Sequence, residues 1–353
     1  MNDSPNDATR RLLLRQGLAL AGAALLATSP LARAADVAPP QMTFLAPEAA
    51  ADFLAHGDGY YAGMGLQEIR ARVRSALPGM SLADARVAVR EYDVAAVLPF
   101  SDAARSALRG IVERMQPLLA ERAPLYARTP WSFIQLDDRA EGGMPHTRGP
   151  HIVLPKAAVD AWVAMDQEMR EAGKLAVTPR GRSLLLHEQT HVLERLYPQR
   201  FEPLITQVFG FTRVPVAPIT PWLSAHRVVN PDGPDVVWAF DLQRIGGEGW
   251  ILPDVVLPDV AVPRMPEDFQ AVAIELARNA DGWRMVEQDG EPKRVALDKL
   301  PGYDGYFPFP DEDFHPNEIA AVTLSHWILK DVPGLAARPK MPDVGAWAVL
   351  GLR

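Results

Sequence analysis

Two histidines near the middle of the chain have the type and spacing of metal ligands. His187 and His191 are four residues apart in the segment His187-Glu188-Gln189-Thr190-His191. On an α-helix, residues i and i+4 lie one turn apart on the same face, so both imidazoles can reach a single ion. If this segment is helical, it therefore predicts a metal site with two histidine ligands.

The carboxylate between the two histidines has a chemical role of its own. Glu188 projects about 100° around the helix from His187, so it can approach a metal-bound water without binding the metal. Catalytic zinc sites hold three protein ligands and leave one position open for water. Zinc lowers the pKa of that water, and a nearby carboxylate can take its proton. We therefore predict Zn²⁺ as the cofactor and Glu188 as the general base.

The residues around this motif favour a helix with a defined start and end. Thr178 and Pro179 are residue types preferred at the N-cap and at the first helical position. Pro198 cannot continue a helix, so the helix is expected to end at Tyr197. The alternative is that two histidines are four residues apart by chance. The start and stop signals favour the metal site over that alternative.

The segment from His187 to Arg195 resembles the active-site helix of the zincin metallopeptidases. In that family the H-E-x-x-H helix lies beneath a small mixed sheet, and the edge strand of the sheet binds extended peptide. The resemblance implies that His187 and His191 bind zinc and that Glu188 is the general base. It also implies that the edge strand falls within residues 141–154 of this chain.

The third metal ligand distinguishes the subclasses of this family. The metzincin pattern requires a histidine six residues after His191, but Tyr197 is at that position. The thermolysin-like pattern has a glutamate on a later helix, often in an Asn-Glu pair, and Asn317-Glu318 is similar to it. The acidic residue that usually follows four positions later is replaced by Val322. The resemblance thus implies a gluzincin-like site with Glu318 as the third ligand, separated from His191 by a long insertion.

Other residues remain as alternatives for this third position. Glu248 is in a glycine-rich loop, and His315 directly precedes the expected start of the later helix. Glu194 is seven residues after His187, which suits a hydrogen bond to a ligand better than ligation. Glu318 itself could instead be a first-turn acid that is favoured by the helix dipole.

A hydrogen-bond donor beside the metal would stabilise the negative oxygen of a tetrahedral intermediate. Tyr303 and Tyr306 are the predicted donors, because they lie in an aromatic loop shortly before Glu318. His146 and His151, near the expected edge strand, are alternatives. For all four side chains the competing interpretation is that they only pack against their neighbours.

The pattern of apolar residues elsewhere in the chain predicts an α+β fold. Residues 36–125 are expected to be mostly helical, and residues 126–330 are expected to form the zincin-like catalytic region. Within that region, 214–297 is predicted to be a β-rich insertion, and 331–353 is a Pro/Gly-rich tail. Helices are predicted over 48–56, 66–77, 82–92, 101–121, 156–172, 178–197 and 316–329, and strands over 131–136, 151–154, 227–229, 235–242, 269–276 and 283–287.

The first 35 residues have the layout of a bacterial export signal. Arg10-Arg11 precedes an apolar run from Gly17 to Ala27, and Ala32-Arg33-Ala34 is an A-x-A cleavage pattern. The arginine pair resembles a twin-arginine signal, and an ordinary secretory signal is the alternative. The run is too short to span a bilayer. A periplasmic or secreted location is therefore predicted.

The composition restricts the partners of the protein. The chain contains no cysteine, which excludes disulfides, thiolate metal ligands and a cysteine nucleophile. The formal net charge of −8 argues against nucleic acid or an anionic membrane as a partner, and no later run is apolar enough to span a bilayer. We expect an exported metallopeptidase with a peptide or protein substrate. The alternative is a non-catalytic zincin-fold protein that uses the metal for stability or binds a partner.

Overall fold

The computed structural model describes most of the chain after residue 38. The described residues are 39–171, 179–215, 219–233, 237–280, 282–307, 309, 312–330 and 343–353. The predicted signal over 1–35 and the predicted N-cap Thr178 therefore lie outside them. The described part combines helices with mixed and antiparallel sheets, so the predicted α+β class is confirmed. No helix within these ranges has the length and apolar character needed to cross a membrane.

Helices account for most of the N-terminal region and for the elements that carry the motif. They are α1 (Pro47–His56), α2 (Leu66–Val73), α3 (Leu82–Val94), α4 (Asp102–Arg122), α5 (Pro124–Arg128), α6 (Lys156–Glu171), α7 (Pro179–Leu196), α8 (Pro198–Pro203), α9 (Pro221–His226), α10 (Tyr303–Tyr306), α11 (Pro316–Leu329) and α12 (Gly345–Gly351). Ser81 and Ser101 cap α3 and α4 by accepting backbone hydrogen bonds. The helix predicted over 66–77 ends early, because Arg74 adopts a left-handed conformation.

Five strands form the first sheet, which is mixed. They are β1 (Met42–Phe44), β2 (Val97–Leu98), β3 (Trp131–Leu136), β4 (His146–Arg148) and β5 (His151–Pro155). The central strand β3 pairs in parallel with β1 and β5, and β2 pairs antiparallel with β3. β4 pairs antiparallel with β5 and lies at one edge of the sheet, with β1 at the other end of the strand order. The strands predicted over 131–136 and 151–154 are confirmed, and β1 and β2 join them from the N-terminal region.

The helix that carries the H-E-x-x-H motif, α7, contacts β4 and β5 on one side and α11 on another. Leu185, Leu186, Ile319 and Leu324 are fully buried in the largest apolar cluster of the described chain, together with residues of β3, β5 and α4. Almost every residue of α11 is buried, as expected for a helix that is apolar on all faces. The position of α11 against α7 is therefore fixed by the hydrophobic core.

The second sheet is antiparallel and occupies most of the predicted β-rich insertion. Its strands are β6 (Phe211–Val214), β7 (Val237–Asp241), β8 (Trp250–Val256), β9 (Gln270–Asn279), β10 (Gly282–Met285) and β13 (Arg294–Ala296), beside a short hairpin of β11 (Glu287–Gln288) and β12 (Glu291–Pro292). The strand predicted over 227–229 is wrong, since Arg227 forms only an isolated bridge with Val256. The sequence analysis missed β8, which contains Pro253.

The end of the chain is more structured than its composition suggested. Within the predicted Pro/Gly-rich tail, α12 packs against α8, and its neighbours Val344 and Leu352 are buried in the main core. The backbone N–H of Leu125 donates a hydrogen bond to the carbonyl of Leu352. These contacts attach the C-terminal residues to the body of the fold.

Candidate metal centre

Three side chains that the sequence singled out converge where α7 meets α11. His187 Nε2 lies 3.2 Å from Glu318 Oε2, and His191 Nε2 lies 3.4 Å from the same oxygen. The two imidazole rings are 4.8 Å apart and nearly perpendicular. One donor atom from each of the three residues lies within 4.8 Å of the others. The packing of two helices distant in sequence thus assembles two imidazoles and one carboxylate at a single point.

The interior of this cluster contains polar atoms that lack a partner. His191 is fully buried, Glu188 is 3% exposed, and His187 retains 17% of its side-chain exposure. Among the described residues, His191 Nε2 and Glu188 Oε2 have no hydrogen-bond partner. Buried polar atoms without a partner destabilise a fold, so their presence points to a group that binds there. A cation between the imidazoles and the carboxylates would satisfy both atoms.

Hydrogen bonds from outside the cluster orient two of the three convergent side chains. The buried carboxylate of Glu194 lies 3.1 Å from His191 Nδ1, which agrees with the role expected from its spacing. With the proton of His191 on Nδ1, the lone pair of Nε2 is directed at the cluster. Asn230 Nδ2 donates to Glu318 Oε1 over 2.8 Å. Glu318 is thereby held with its other oxygen toward the histidines.

The electrostatics of the metal-free cluster are those of a buried network of opposite charges. Burial opposes charge on His187, but its hydrogen bond with Glu318 and the negative charges around it, including that of Glu188, together outweigh this effect and raise the pKa of His187 to about 9. Burial also opposes charge on Glu318, yet the charge of His191 and the hydrogen bonds hold the pKa of Glu318 well below its usual value. Burial, together with the negative charge of Asp232, raises the pKa of Glu188 to about 8. A protonated histidine therefore occupies the place of a cation when no metal is bound.

The two tyrosines predicted as donors lie in a separate aromatic cluster. The hydroxyl of Tyr303 donates to the backbone carbonyl of Asp313 over 2.9 Å, and its ring packs against Phe240 and Phe307. The ring of Tyr306 packs against the same two phenylalanines. In the described part of the chain, we find no contact between either tyrosine and the three convergent side chains. Both rings are part of the core that positions α10 and the following loop.

The alternative residues also lie apart from the convergence point or serve the helix start. His315 caps α11 by accepting a hydrogen bond from the backbone N–H of Asn317. Glu248 is exposed between β7 and β8. His146 is buried on β4, where burial and the charges of nearby arginines lower its pKa to about 3. His151 is engaged through Nδ1 with a serine hydroxyl of β3.

The sequence analysis missed a loop that reaches the cluster, Asn230-Pro231-Asp232-Gly233, which we call the 230–233 loop. Its residue types are those of a turn, and the sequence predicted no role for it at the site. One donor atom from each of Glu188, His191 and Asp232 lies within 4.8 Å of the others. The residues of a turn do not indicate which distant residues the turn will contact. A single sequence therefore could not predict that Asp232 lies near Glu188 and His191.

The chain was compared with protein-family models, curated protein sequences and solved structures, and none of them matches it. The chemistry of the site must therefore be inferred from its own geometry.

Proposed function

We propose that this protein is an exported zinc-dependent hydrolase, specifically a zincin-like metallopeptidase with His187, His191 and Glu318 as its zinc ligands. The observation that carries the proposal is the convergence of two imidazole nitrogens on one carboxylate oxygen at 3.2 and 3.4 Å. Donors at about 2.0–2.2 Å from a tetrahedral zinc ion are roughly 3.3–3.5 Å apart. The observed separations suit such an ion with little rearrangement.

The donor set supports zinc in a hydrolytic role. Two histidines and one glutamate are a ligand set of catalytic zinc sites, which keep the fourth position for water. Glu194, which orients His191, is buried and Asn230, which orients Glu318, is half-buried, and such outer hydrogen bonds tune metal affinity. A purely structural zinc site would more often have four protein ligands.

The chain's own residues supply the remaining chemistry. When bound, zinc supplies Lewis acidity that makes a coordinated water acidic near neutral pH. Glu188 is adjacent to His187 on α7, and its Oε2 has no partner among the described residues. This carboxylate can accept a proton from the attacking water and return it to the leaving amine. Glu194 and Asn230 keep His191 and Glu318 in position.

A peptide substrate and an exported location complete the proposal. The edge strand β4 contacts the motif helix α7, and its side away from β5 is the one on which an extended peptide would add to this sheet once that side is free. The export signal predicted over residues 1–35 supports a periplasmic or secreted location. A non-catalytic metal-binding protein is the second candidate, and a direct test separates the two.

The test compares Glu188→Gln with His187→Ala in zinc content and in cleavage of unstructured protein and mixed peptides. Glutamine keeps the size of Glu188 but is not a base. We expect this variant to keep its zinc and to lose cleavage by about 10²–10⁴-fold. We expect His187→Ala to lose the zinc itself. Glu113→Gln, an exposed substitution on α4, is the matched control.

Unchanged cleavage by Glu188→Gln would contradict the proposed mechanism. Stoichiometric zinc in the wild type with no cleavage of any substrate would favour the non-catalytic candidate. Failure of the wild type to bind zinc at all would reject the proposed metal centre.

A further inference from the structure

Several hydrogen bonds hold the 230–233 loop against the proposed metal centre. Asn230 Nδ2 donates to Glu318 Oε1, and the backbone N–H of Asp232 donates to Asn230 Oδ1 over 2.8 Å. Arg195, four residues after His191 on α7, donates to the carbonyl of Pro231. The loop is thus tied both to a proposed ligand and to the motif helix.

Within this loop, the Asp232 carboxylate lies on the side of the cluster where water has to act. One of its oxygens is within 4.8 Å of donor atoms of both Glu188 and His191. Glu188 is the proposed base and His191 a proposed ligand, so a water within reach of both residues would border the Asp232 carboxylate. His191 Nε2 and Glu188 Oε2 are the atoms without a described hydrogen-bond partner. A third, anionic donor therefore borders the space that the water needs.

The same loop occupies the edge of β4 that a peptide would use. The backbone N–H of Thr147, in the middle of β4, donates to Asp232 Oδ1, and the Thr147 hydroxyl donates to the same oxygen over 2.9 Å. Arg195 donates to the Thr147 carbonyl over 3.4 Å. Strand addition requires these N–H and C=O groups for the backbone of the incoming peptide. In the described arrangement both are engaged by the protein itself.

We propose that Asp232 is a fourth protein ligand that closes the metal centre, and that the 230–233 loop must leave β4 before the site can act. A carboxylate oxygen is an ordinary zinc ligand, and four protein ligands leave no position for water. The loop then excludes both the water and the peptide at once. That the enzyme is inactive until the loop moves rests on the hydrolase function proposed above. The ligation of the metal by Asp232 does not rest on it.

The experiment uses the purified protein, freed of metal and reloaded with Co²⁺ or with Zn²⁺. The visible absorption of protein-bound Co²⁺ is much stronger in four-coordinate sites than in sites of higher coordination number. Asp232→Asn is compared with Asp289→Asn, which changes an exposed aspartate in another turn. Because a water can take the fourth position when the carboxylate is lost, we expect both proteins to absorb strongly and Asp232→Asn alone to show shifted Co²⁺ bands. We also expect Asp232→Asn to lower the Zn²⁺ affinity by at least about tenfold, the lower end of the loss seen when only an outer partner is removed. We also expect its peptide cleavage to exceed that of the wild type.

A measurement on the wild type keeps the test decisive if Asp232→Asn folds poorly. Acetohydroxamate, a small chelating ligand, is added to the Co²⁺ protein. If the centre is closed, acetohydroxamate cannot reach the Co²⁺ ion, and the absorption spectrum stays unchanged at acetohydroxamate concentrations that change the spectrum of an open centre. A spectral change in the wild type at low acetohydroxamate concentration would overturn the proposal.

The outcomes separate this proposal from the proposed function. If Asp232→Asn matches the wild type in absorption and Zn²⁺ affinity, Asp232 is not a ligand, and the hydrolase proposal is unaffected. If both properties change and neither protein cleaves any peptide, the closed centre stands as a structural site and the hydrolase proposal fails. If the wild type cleaves peptides strongly and Asp232→Asn does not increase this cleavage, the proposal that the 230–233 loop closes the centre is overturned.

Discussion

Replacing Glu194 tests whether a buried hydrogen bond controls how tightly His191 holds a metal ion. The Glu194 carboxylate lies 3.1 Å from His191 Nδ1, and the side chains of Glu194 and His191 are 3% and 0% exposed. A charged acceptor on Nδ1 makes the opposite nitrogen a stronger donor to metal and fixes the plane of the ring.

The two substitutions remove different parts of this interaction. Glu194→Gln keeps an acceptor of the same size but loses the charge, so we expect a loss of Zn²⁺ affinity near the lower end of the usual 10–100-fold range. Glu194→Ala leaves the Nδ1–H of His191 buried without an acceptor, so we expect a loss near the upper end. These factors correspond to about 1.4 and about 2.8 kcal/mol of binding free energy. The specific prediction is that Glu194→Ala loses more Zn²⁺ affinity than Glu194→Gln.

The assay is competition for Zn²⁺ against a chelator of known affinity, at one pH. Thermal unfolding of the metal-free variants shows whether either substitution has disturbed the fold. Glu202→Gln and Glu202→Ala, on the exposed side of α8, are the matched controls and should leave the affinity unchanged. Equal affinities for the wild type and Glu194→Ala would refute the idea that this carboxylate acts through His191.

Two further predictions concern proton competition and the core. Metal binding must displace the proton from His187, whose pKa is raised to about 9 in the metal-free protein. The apparent Zn²⁺ affinity should therefore rise about tenfold per pH unit for each displaced proton up to about pH 9; chelator competition across this range measures it, and a pH-independent affinity would contradict it. Leu324→Ala, at a fully buried position of α11, should lower the free energy of unfolding by about 2–5 kcal/mol in urea titrations. Leu350→Ala, at an exposed position, should change it by less than about 0.5 kcal/mol, and equal effects of the two would contradict the described packing.

The features that the sequence predicted well are those with strong local causes. Ser101 caps α4, and Pro198 ends α7, because capping and the loss of an N–H act within a few residues. The motif itself is local, since i and i+4 on one helix fix the relation of His187 to His191. Such signals depend only on neighbouring residues, so a single sequence contains them.

The features that the sequence missed depend on distant partners. Pro253 and the nearby glycines argue for a loop, yet β8 forms because β7 and β9 pair with it on both sides. Tyr303 appeared to be a candidate donor, but its hydroxyl is used by a backbone carbonyl inside an aromatic cluster. Asp232 appeared to be a turn residue, and its approach to Glu188 exists only in the folded chain.

The long segment between His191 and Glu318 carries two residues that lie at the proposed centre. Asn230 donates to Glu318, and one Asp232 oxygen lies within 4.8 Å of donor atoms of Glu188 and His191. α11 is held by the core, so the backbone that carries Glu318, the proposed ligand, keeps its position when the 230–233 loop moves, although the hydrogen bond from Asn230 is then lost. Rigid ligands beside a loop that is attached mainly by hydrogen bonds would allow the centre to open without losing its metal.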